Sequence, residues 1–169
     1  KKVKSTLSQE GKEMEQKDGM DLSLAIFDAD NSEMQFAGAF NPIYLIRSNK
    51  LEKDGNLEKY LALEAEQHSL YEIKGDRQPI SIYSNEIEFK THYVRLEKND
   101  TLYMFSDGYP DQVGGPNEKK FMVRKFKNLL IDIQPQSMPD QAKILDTTLL
   151  DWKKEIKQID DILVIGIRW

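Results

Sequence analysis

Cysteine is absent from the 169-residue sequence, and histidine occurs only twice, as His68 and His92. The missing thiols exclude disulfides, thiolate metal sites and a cysteine nucleophile. With two histidines a histidine-rich zinc site is disfavoured, so any bound metal should be a hard cation held by carboxylates and water. Neither histidine has an evident catalytic partner. We interpret His68 as a helix-surface residue and His92 as a strand-edge residue, both structural.

The sequence also lacks long apolar runs and any excess of basic residues. No run approaches the ~20 apolar residues of a membrane span, and no signal peptide is visible. The net charge is -5, with lysine and arginine spread among the acids. This pattern disfavours a nucleic-acid surface and a polybasic membrane patch. We therefore expect no nucleic-acid partner and no membrane insertion of this segment, and we treat residues 1–169 as one domain with its own core.

The order of the predicted elements is typical of the α+β class. Short apolar or alternating segments predict strands, and these lie at 21–28, 33–38, 42–48, 92–98, 101–105 and 160–169. Helix formers at helical spacing predict helices, and these lie at 1–10, 58–70, 118–132 and 138–154. Ser137 with Asp140 resembles a capping box at the start of the last helix. Strands followed by two helices and a final strand favour mainly antiparallel pairing.

Two acidic segments adjoin predicted strands. Asp107 follows the apolar run 102–105, while Asp160 and Asp161 precede the apolar run 162–167. If these two strands are antiparallel neighbours, Asp107 and Asp160 meet at one edge of the sheet. Like charges held close together raise each other's pKa unless a cation or hydrogen bonds compensate. A hydrated Mg²⁺ or Mn²⁺ ion would be the natural compensator.

From spacing alone, an ordinary turn is the more common explanation of the same residues. Asp-Gly is a common turn after a strand, and Asp is a common loop residue before one. The small residues Ser106 and Gly108 would leave room for metal-bound water, but they also suit a simple strand exit. Asp18, in front of Gly19, is open to the same two interpretations. The Ser106 hydroxyl has no evident base, which argues against a Ser-His-Asp triad.

The motifs in combination resemble a known family. The segment FSDGYPDQVGGPNEKKF, the helix pair after it and QIDDILVIGIR are similar to the C-terminal half of the SpoIIE-like branch of the metal-dependent (PPM, type 2C) Ser/Thr protein phosphatases. The segments DGMDLSLAIFD, MQFAGAFNPIYLIR and KGDRQPISIYS match the same branch in the same order. The resemblance runs from about residue 5 to the end of the chain.

This resemblance implies an antiparallel β-sandwich flanked by helices, with a centre of two or more Mn²⁺ or Mg²⁺ ions at one end. A metal-activated water would attack the phosphorus of phosphoserine or phosphothreonine without a phospho-enzyme. Asp107 and Asp160 match metal ligands of the family. Asp18 lies where some bacterial relatives place a ligand for a third, weaker metal. Gly108 and Asp161 belong to the same two motifs and are supporting residues.

The chain departs from the family pattern in two places. It has no Asp-Gly strand of the kind whose aspartate bridges both metals, and Pro79-Ile80-Ser81 stands where relatives often have Pro-Ile-Gly. We therefore expect an N-terminally truncated phosphatase domain that is inactive alone. An apolar sheet face left exposed by truncation predicts a homodimer or strand exchange. Asp111 is expected to brace the loop after Asp107.

The resemblance also implies a biological setting. A phosphorylated protein, such as an anti-sigma-factor antagonist, would be the substrate in a bacterial signalling or partner-switching pathway. The chain would be cytoplasmic, with upstream regions able to anchor the parent protein to a membrane. Two alternatives stay open: a non-catalytic binding or oligomerisation module that uses the same fold, and an Mg²⁺ enzyme of another class built on Asp107 and Asp160.

Overall fold

The structure is a computed structural model, and it describes residues 19–51, 54–81 and 87–169. The predicted helix at 1–10 and the candidate ligand Asp18 lie outside the described residues. The described residues divide into two compact units, one within 19–43 and 74–95 and the other within 44–73 and 96–169. Both units contain antiparallel strands, and the helices of the described residues lie in the second unit. The predicted α+β class is thus confirmed.

The first unit is built on a three-stranded sheet in the order β1-β2-β6. Its strands are β1 (Leu22–Asp28), β2 (Glu33–Ala39) and β6 (His92–Arg95), and both pairings are antiparallel. Alternation along β2 buries Met34 and Phe36 completely, as expected for a strand with one covered face.

The second unit contains a five-stranded sheet in the order β10-β7-β3-β5-β4. Its strands are β3 (Ile43–Ser48), β4 (Leu61–Glu64), β5 (His68–Ile73), β7 (Thr101–Phe105) and β10 (Val164–Arg168). A separate hairpin pairs β8 (Val113–Gly114) with β9 (Lys119–Lys120). The helices are α1 (Gly55–Glu58), α2 (Gly108–Asp111), α3 (Val123–Asp132) and α4 (Met138–Lys153).

Aromatic side chains from the sheet and the helices form the core of this unit. Phe105 of β7 packs on Tyr44 and on Phe126 of α3, with ring centroids 4.6 and 5.0 Å apart respectively. Tyr103 donates a hydrogen bond to Gln141 of α4, and burial raises its pKa to about 12. The phenol therefore stays protonated and can serve as a donor in the core.

A buried ion pair joins β3 to the residue that directly precedes β7. Arg47 donates from Nη2 to Asp100 Oδ2 over 2.6 Å and from Nε to Oδ1 over 3.0 Å. Burial alone lowers the pKa of Arg47, but the hydrogen bond and charge of Asp100 outweigh it and the net shift is upward. Glu97 donates its backbone N–H to the same carboxylate. The pair thus holds the start of β7 against the end of β3.

Three local predictions need correction. The helix expected at 58–70 is wrong, because this segment forms the β4–β5 hairpin, which places His68 on a strand and not on a helix surface. Residues with good helix propensity are here held by cross-strand pairing, and tertiary packing overrides propensity. The helix expected from 118 begins only at Val123, since β9 pairs with β8 first.

The last strand is shorter than the predicted range 160–169, and it lies at an edge of the five-stranded sheet within the described residues. It spans Val164–Arg168, so Asp160 and Asp161 lie in the loop before it. The prediction that Ser137 caps α4 is confirmed, because the Asp140 backbone N–H donates to Ser137 Oγ over 3.3 Å. No helix in the described ranges is long and apolar enough to cross a membrane.

Candidate functional site

The site predicted from the sequence depends on one pairing, that of β7 with β10. The two strands are antiparallel, with Phe105 opposite Val164 and Thr101 opposite Arg168. The end of β7 therefore lies beside the start of β10. This is the arrangement under which the sequence predicted that Asp107 and Asp160 share one sheet edge.

Ser106 joins the two acidic segments directly. Its backbone N–H donates to the Leu163 carbonyl over 3.0 Å, which extends the strand pairing past β7. Its hydroxyl donates to the Asp161 carbonyl over 2.7 Å and accepts from the Leu163 N–H over 2.9 Å. The hydroxyl thus uses both its donor and its acceptor to link the two segments. Ser106 is therefore a structural latch between the two segments.

Gly108 makes close approach of the two segments possible. A Cβ atom added at this position would lie 2.4 Å from the Asp161 carbonyl oxygen and 3.0 Å from Ile162 Cγ1. Ordinary side chains do not tolerate such contacts, so the loop and the strand could not come this close with any other residue. Asp107 lies between Ser106 and Gly108, both of which contact Asp161. The backbone geometry therefore holds Asp107 beside the Asp160-Asp161 segment.

The loop after Asp107 is anchored in the core. Tyr109 is buried and donates from its hydroxyl to the Leu145 carbonyl over 2.8 Å. Burial and the nearby Asp146 carboxylate both raise the pKa of Tyr109, so the phenol remains a donor. The Asp111 N–H donates to the Asp107 carbonyl over 3.0 Å and closes the α2 turn. Asp107 is thus exposed on a short, well-held turn.

The side chains of Asp107, Asp160 and Asp111 differ in the hydrogen bonds and ion pairs that they form. Asp107 makes no side-chain cap hydrogen bond to α2. Asp160 Oδ1 accepts the Asp161 N–H over 2.7 Å, which leaves Oδ2 without a partner in the described structure. Asp111 Oδ2 pairs with Lys120 Nζ at 2.7 Å and so ties the loop to β9. Asp107 and Asp160 are therefore the carboxylates best placed to accept an external ligand.

This donor set suits a hydrated divalent cation. Mg²⁺ is commonly bound through one or two carboxylates and several waters, and Asp107 with Asp160 could supply those oxygens. Within the described residues there is no group of three or more histidine or acidic side chains that would enclose an ion. Asp18 lies outside those residues, although its neighbour Met20 forms a bridge with Ile80 in the first unit. The ligand roles of Asp107, Asp160 and Asp18 stay predictions.

Two features of the second unit were missed from the sequence. The latch role of Ser106 was missed, although a hydroxyl residue directly after a strand was a usable signal for it. A cationic cavity at the far end of the sheet was also missed, because its residues come from five separate segments of the chain.

Comparison with known proteins gives consistent results. Residues 2–169 match the family model of stage II sporulation protein E (SpoIIE). The structure is similar to the SiaA-PP2C domain of Pseudomonas aeruginosa, with a TM-score of 0.68 and 28% identity, over 88% of this chain and 51% of that one. It is also similar in fold to the manganese-presoaked phosphatase domain of SpoIIE from Bacillus subtilis, with a TM-score of 0.54 and 16% identity, over 99% of this chain and 63% of that one.

A further SpoIIE structure from Bacillus subtilis, which contains the PP2C phosphatase domain and a fragment of the regulatory domain, matches with a TM-score of 0.56 and 18% identity, over 88% of this chain and 37% of that one. No curated protein matches the chain. The chain spans about half the length of the SiaA structure and less than two thirds of the others.

Proposed function

Because this chain belongs to the stage II sporulation protein E (SpoIIE) family, we propose that it carries part of the active site of a metal-dependent protein phosphatase acting on phosphoserine or phosphothreonine. The fold is that of the type 2C phosphatases. The observation that supports the proposed site best is the junction of the two acidic segments, where the Ser106 hydroxyl donates to the Asp161 carbonyl.

Mn²⁺ or Mg²⁺ would be held by Asp107 and Asp160, with Asp18 as a candidate for a further ion. When bound, such ions supply a nucleophilic water at neutral pH and neutralise charge on the phosphoryl group. The support for manganese is that one similar phosphatase domain was solved from crystals presoaked with it. The carboxylate oxygens present here have the hard character that these ions prefer.

The chain's own residues would act by positioning. Asp107 and Asp160 would place negative charge at one sheet edge, where it attracts cations that in turn attract a phosphate dianion. Ser106 and Gly108 would keep the two carboxylates in register, because both restrain the backbone around Asp107. Asp161 would contribute through its carbonyl to this latch. Precise spacing matters, since small displacements of a site can cost large factors in rate.

The substrate and setting belong to the same proposal. We expect the substrate to be a phosphorylated protein, such as an anti-sigma-factor antagonist, in a bacterial signalling pathway. We expect the chain to lie in the cytoplasm. Exposed apolar side chains on one face of β1, those of Leu22, Leu24 and Ile26, are consistent with a homodimer contact.

A second candidate is a non-catalytic module that keeps the fold for binding. One observation favours it: the described residues do not provide three clustered metal-binding side chains. Hydrolysis of a phosphoserine peptide with and without Mn²⁺ distinguishes the two, if measured for the 169-residue chain and for the full-length gene product. The enzyme proposal expects Mn²⁺-dependent turnover by the gene product and little by the chain alone. Absence of turnover in both, with Mn²⁺ and with Mg²⁺, would favour the module.

A further inference from the structure

A second polar site lies at the opposite end of the five-stranded sheet. Thr101 and Arg168 are paired at the end of β7 and β10 remote from Asp107. A cavity of about 340 Å³ opens there. Its lining residues are Ser48, Lys50, Leu51, His68, Lys98, Asn99, Gln134 and Arg168. All of them belong to the second unit.

The cavity concentrates positive charge. Its lining contains three cationic side chains, those of Lys50, Lys98 and Arg168. No carboxylate side chain is among the described residues that line it. Within the described part of the chain none of these three forms an ion pair with a carboxylate. Unpaired cations around one concave surface focus a positive potential there.

Arg168 is held in place without being neutralised. Its Nη2 donates to the Gln134 carbonyl over 3.0 Å and its Nη1 to the Gln136 carbonyl over 3.1 Å. Its Nε donates to Thr101 Oγ1 over 3.3 Å. These acceptors are neutral, so the guanidinium is oriented while its charge stays available. Such orientation in advance lowers the entropic cost of binding an anion.

The pKa of His68 is shifted by two of the same positive charges. Burial lowers its pKa, and the charges of Arg168 and Lys50 lower it further. Lys98 lies in the same lining, whereas the nearby acids Glu64 and Glu66 of the β4–β5 hairpin are outside it. A positive potential that opposes protonation of His68 is one that an anion would relieve.

We propose that this cavity is a binding site for a phosphate-class oxyanion. A carboxylate would bring one charge and two oxygens to three cations. A phosphate group brings a charge of about -1.5 to -2 and three strong acceptor oxygens, which suits lysines combined with an oriented guanidinium. The source could be free phosphate or a phosphorylated side chain, since both present the same group. This proposal rests on the cavity alone and does not require phosphatase activity.

The test measures binding of inorganic phosphate, and separately of a phosphoserine peptide, by calorimetry at low salt. The 169-residue chain carries Asp107→Asn in all samples, and EDTA removes divalent cations, so that the acidic edge does not contribute. Lys50→Gln with Lys98→Gln removes two cavity charges. Lys74→Gln with Lys143→Gln is the matched control, because both of these lysines are exposed and outside the cavity.

We expect saturable binding by the chain with Asp107→Asn alone. The affinity of the cavity variant should be at least roughly tenfold lower, which corresponds to about 1.4 kcal/mol. The affinity of the control variant should be unchanged. Binding of phosphate itself would identify a free anion as the ligand, and binding of the peptide alone would identify a protein-borne phosphate. Equal affinity in the two double variants, or no saturable binding of either probe, would overturn the proposal.

A second measurement is independent of the lysine variants. NMR titration of the two histidines should show that phosphate raises the pKa of His68, because the anion offsets the charges of Arg168 and Lys50. His92 belongs to the first unit and serves as an internal reference. Equal movement of both histidines, or of neither, would contradict binding in this cavity.

Discussion

The Ser106 hydroxyl donates to the Asp161 carbonyl over 2.7 Å, although 55 residues separate them in the chain. The same hydroxyl accepts the Leu163 N–H. One side chain therefore bridges the exit of β7 and the approach to β10, the two places where the acidic motifs lie.

Ser106→Ala should weaken the proposed active site more than it weakens the fold. It removes a donor and an acceptor, each with a net contribution of about 1 kcal/mol to stability. In the full-length gene product we expect the Mn²⁺ concentration for half-maximal activity to rise and kcat to fall. Ser106→Thr keeps the hydroxyl and should restore much of both. A loss of stability in Ser106→Ala with unchanged Mn²⁺ dependence would show that the latch has no part in positioning the site.

Gly108→Ala should destabilise the chain, because its Cβ would lie 2.4 Å from the Asp161 carbonyl oxygen. Overpacking of this kind costs roughly 1–3 kcal/mol. Gly55→Ala is the matched control, since a Cβ there meets nothing within 4 Å, and a Gly-to-Ala change at a position without strain stabilises by roughly 0.4–1 kcal/mol. Urea unfolding should separate the two variants in opposite directions. Equal midpoints for both would mean that the contact at Gly108 is relieved by a small shift of the loop.

Asp107→Asn and Asp160→Asn should each abolish Mn²⁺-dependent hydrolysis of a phosphoserine peptide by the full-length gene product. Mutation of a residue that only supports a metal ligand typically lowers activity 10- to 100-fold. Because Asp107 and Asp160 are proposed as ligands themselves, we expect activity to fall roughly 100-fold or more. Asp111→Asn is the control from the same loop, because its carboxylate already pairs with the exposed Lys120 and exposed pairs contribute little. Undiminished turnover in Asp107→Asn and Asp160→Asn would refute the assignment of the site.

Stability should depend on pH through His68. Its pKa is lowered in the folded chain, first by burial and then by Arg168 and Lys50. The unfolded chain therefore binds more protons as pH falls below the ordinary histidine pKa of about 6.5, and the free energy of unfolding should decrease there. Above that pH the contribution is constant. In phosphate-free buffer, urea midpoints of the wild type and His68→Gln should converge as pH falls from 7.5 to 5.5. Parallel pH profiles would contradict this.

Three of the strands, one of them the strand that precedes Asp107, were predictable from local pattern. The run 101–105 and the alternation in 21–28 and 33–38 each have apolar spacing typical of strands, and all three form strands. Ser137 as the cap of α4 was predictable for the same reason, since a cap is a local interaction. By contrast, the segment 58–70 has helix-forming composition and still forms a hairpin, because its cross-strand pairs in the sheet stabilise it more than helix propensity would.

The sequence by itself determined the α+β class, the two acidic motifs and their positions at the ends of apolar runs, because composition and periodicity are properties of the local chain. Only the tertiary structure decided that β7 and β10 are antiparallel neighbours, that Ser106 latches them and that Gly108 must lack a side chain. It alone also brought Lys50, His68, Lys98 and Arg168 around one cavity. Such relationships join residues far apart in the chain, and they exist only after strand pairing has set the register.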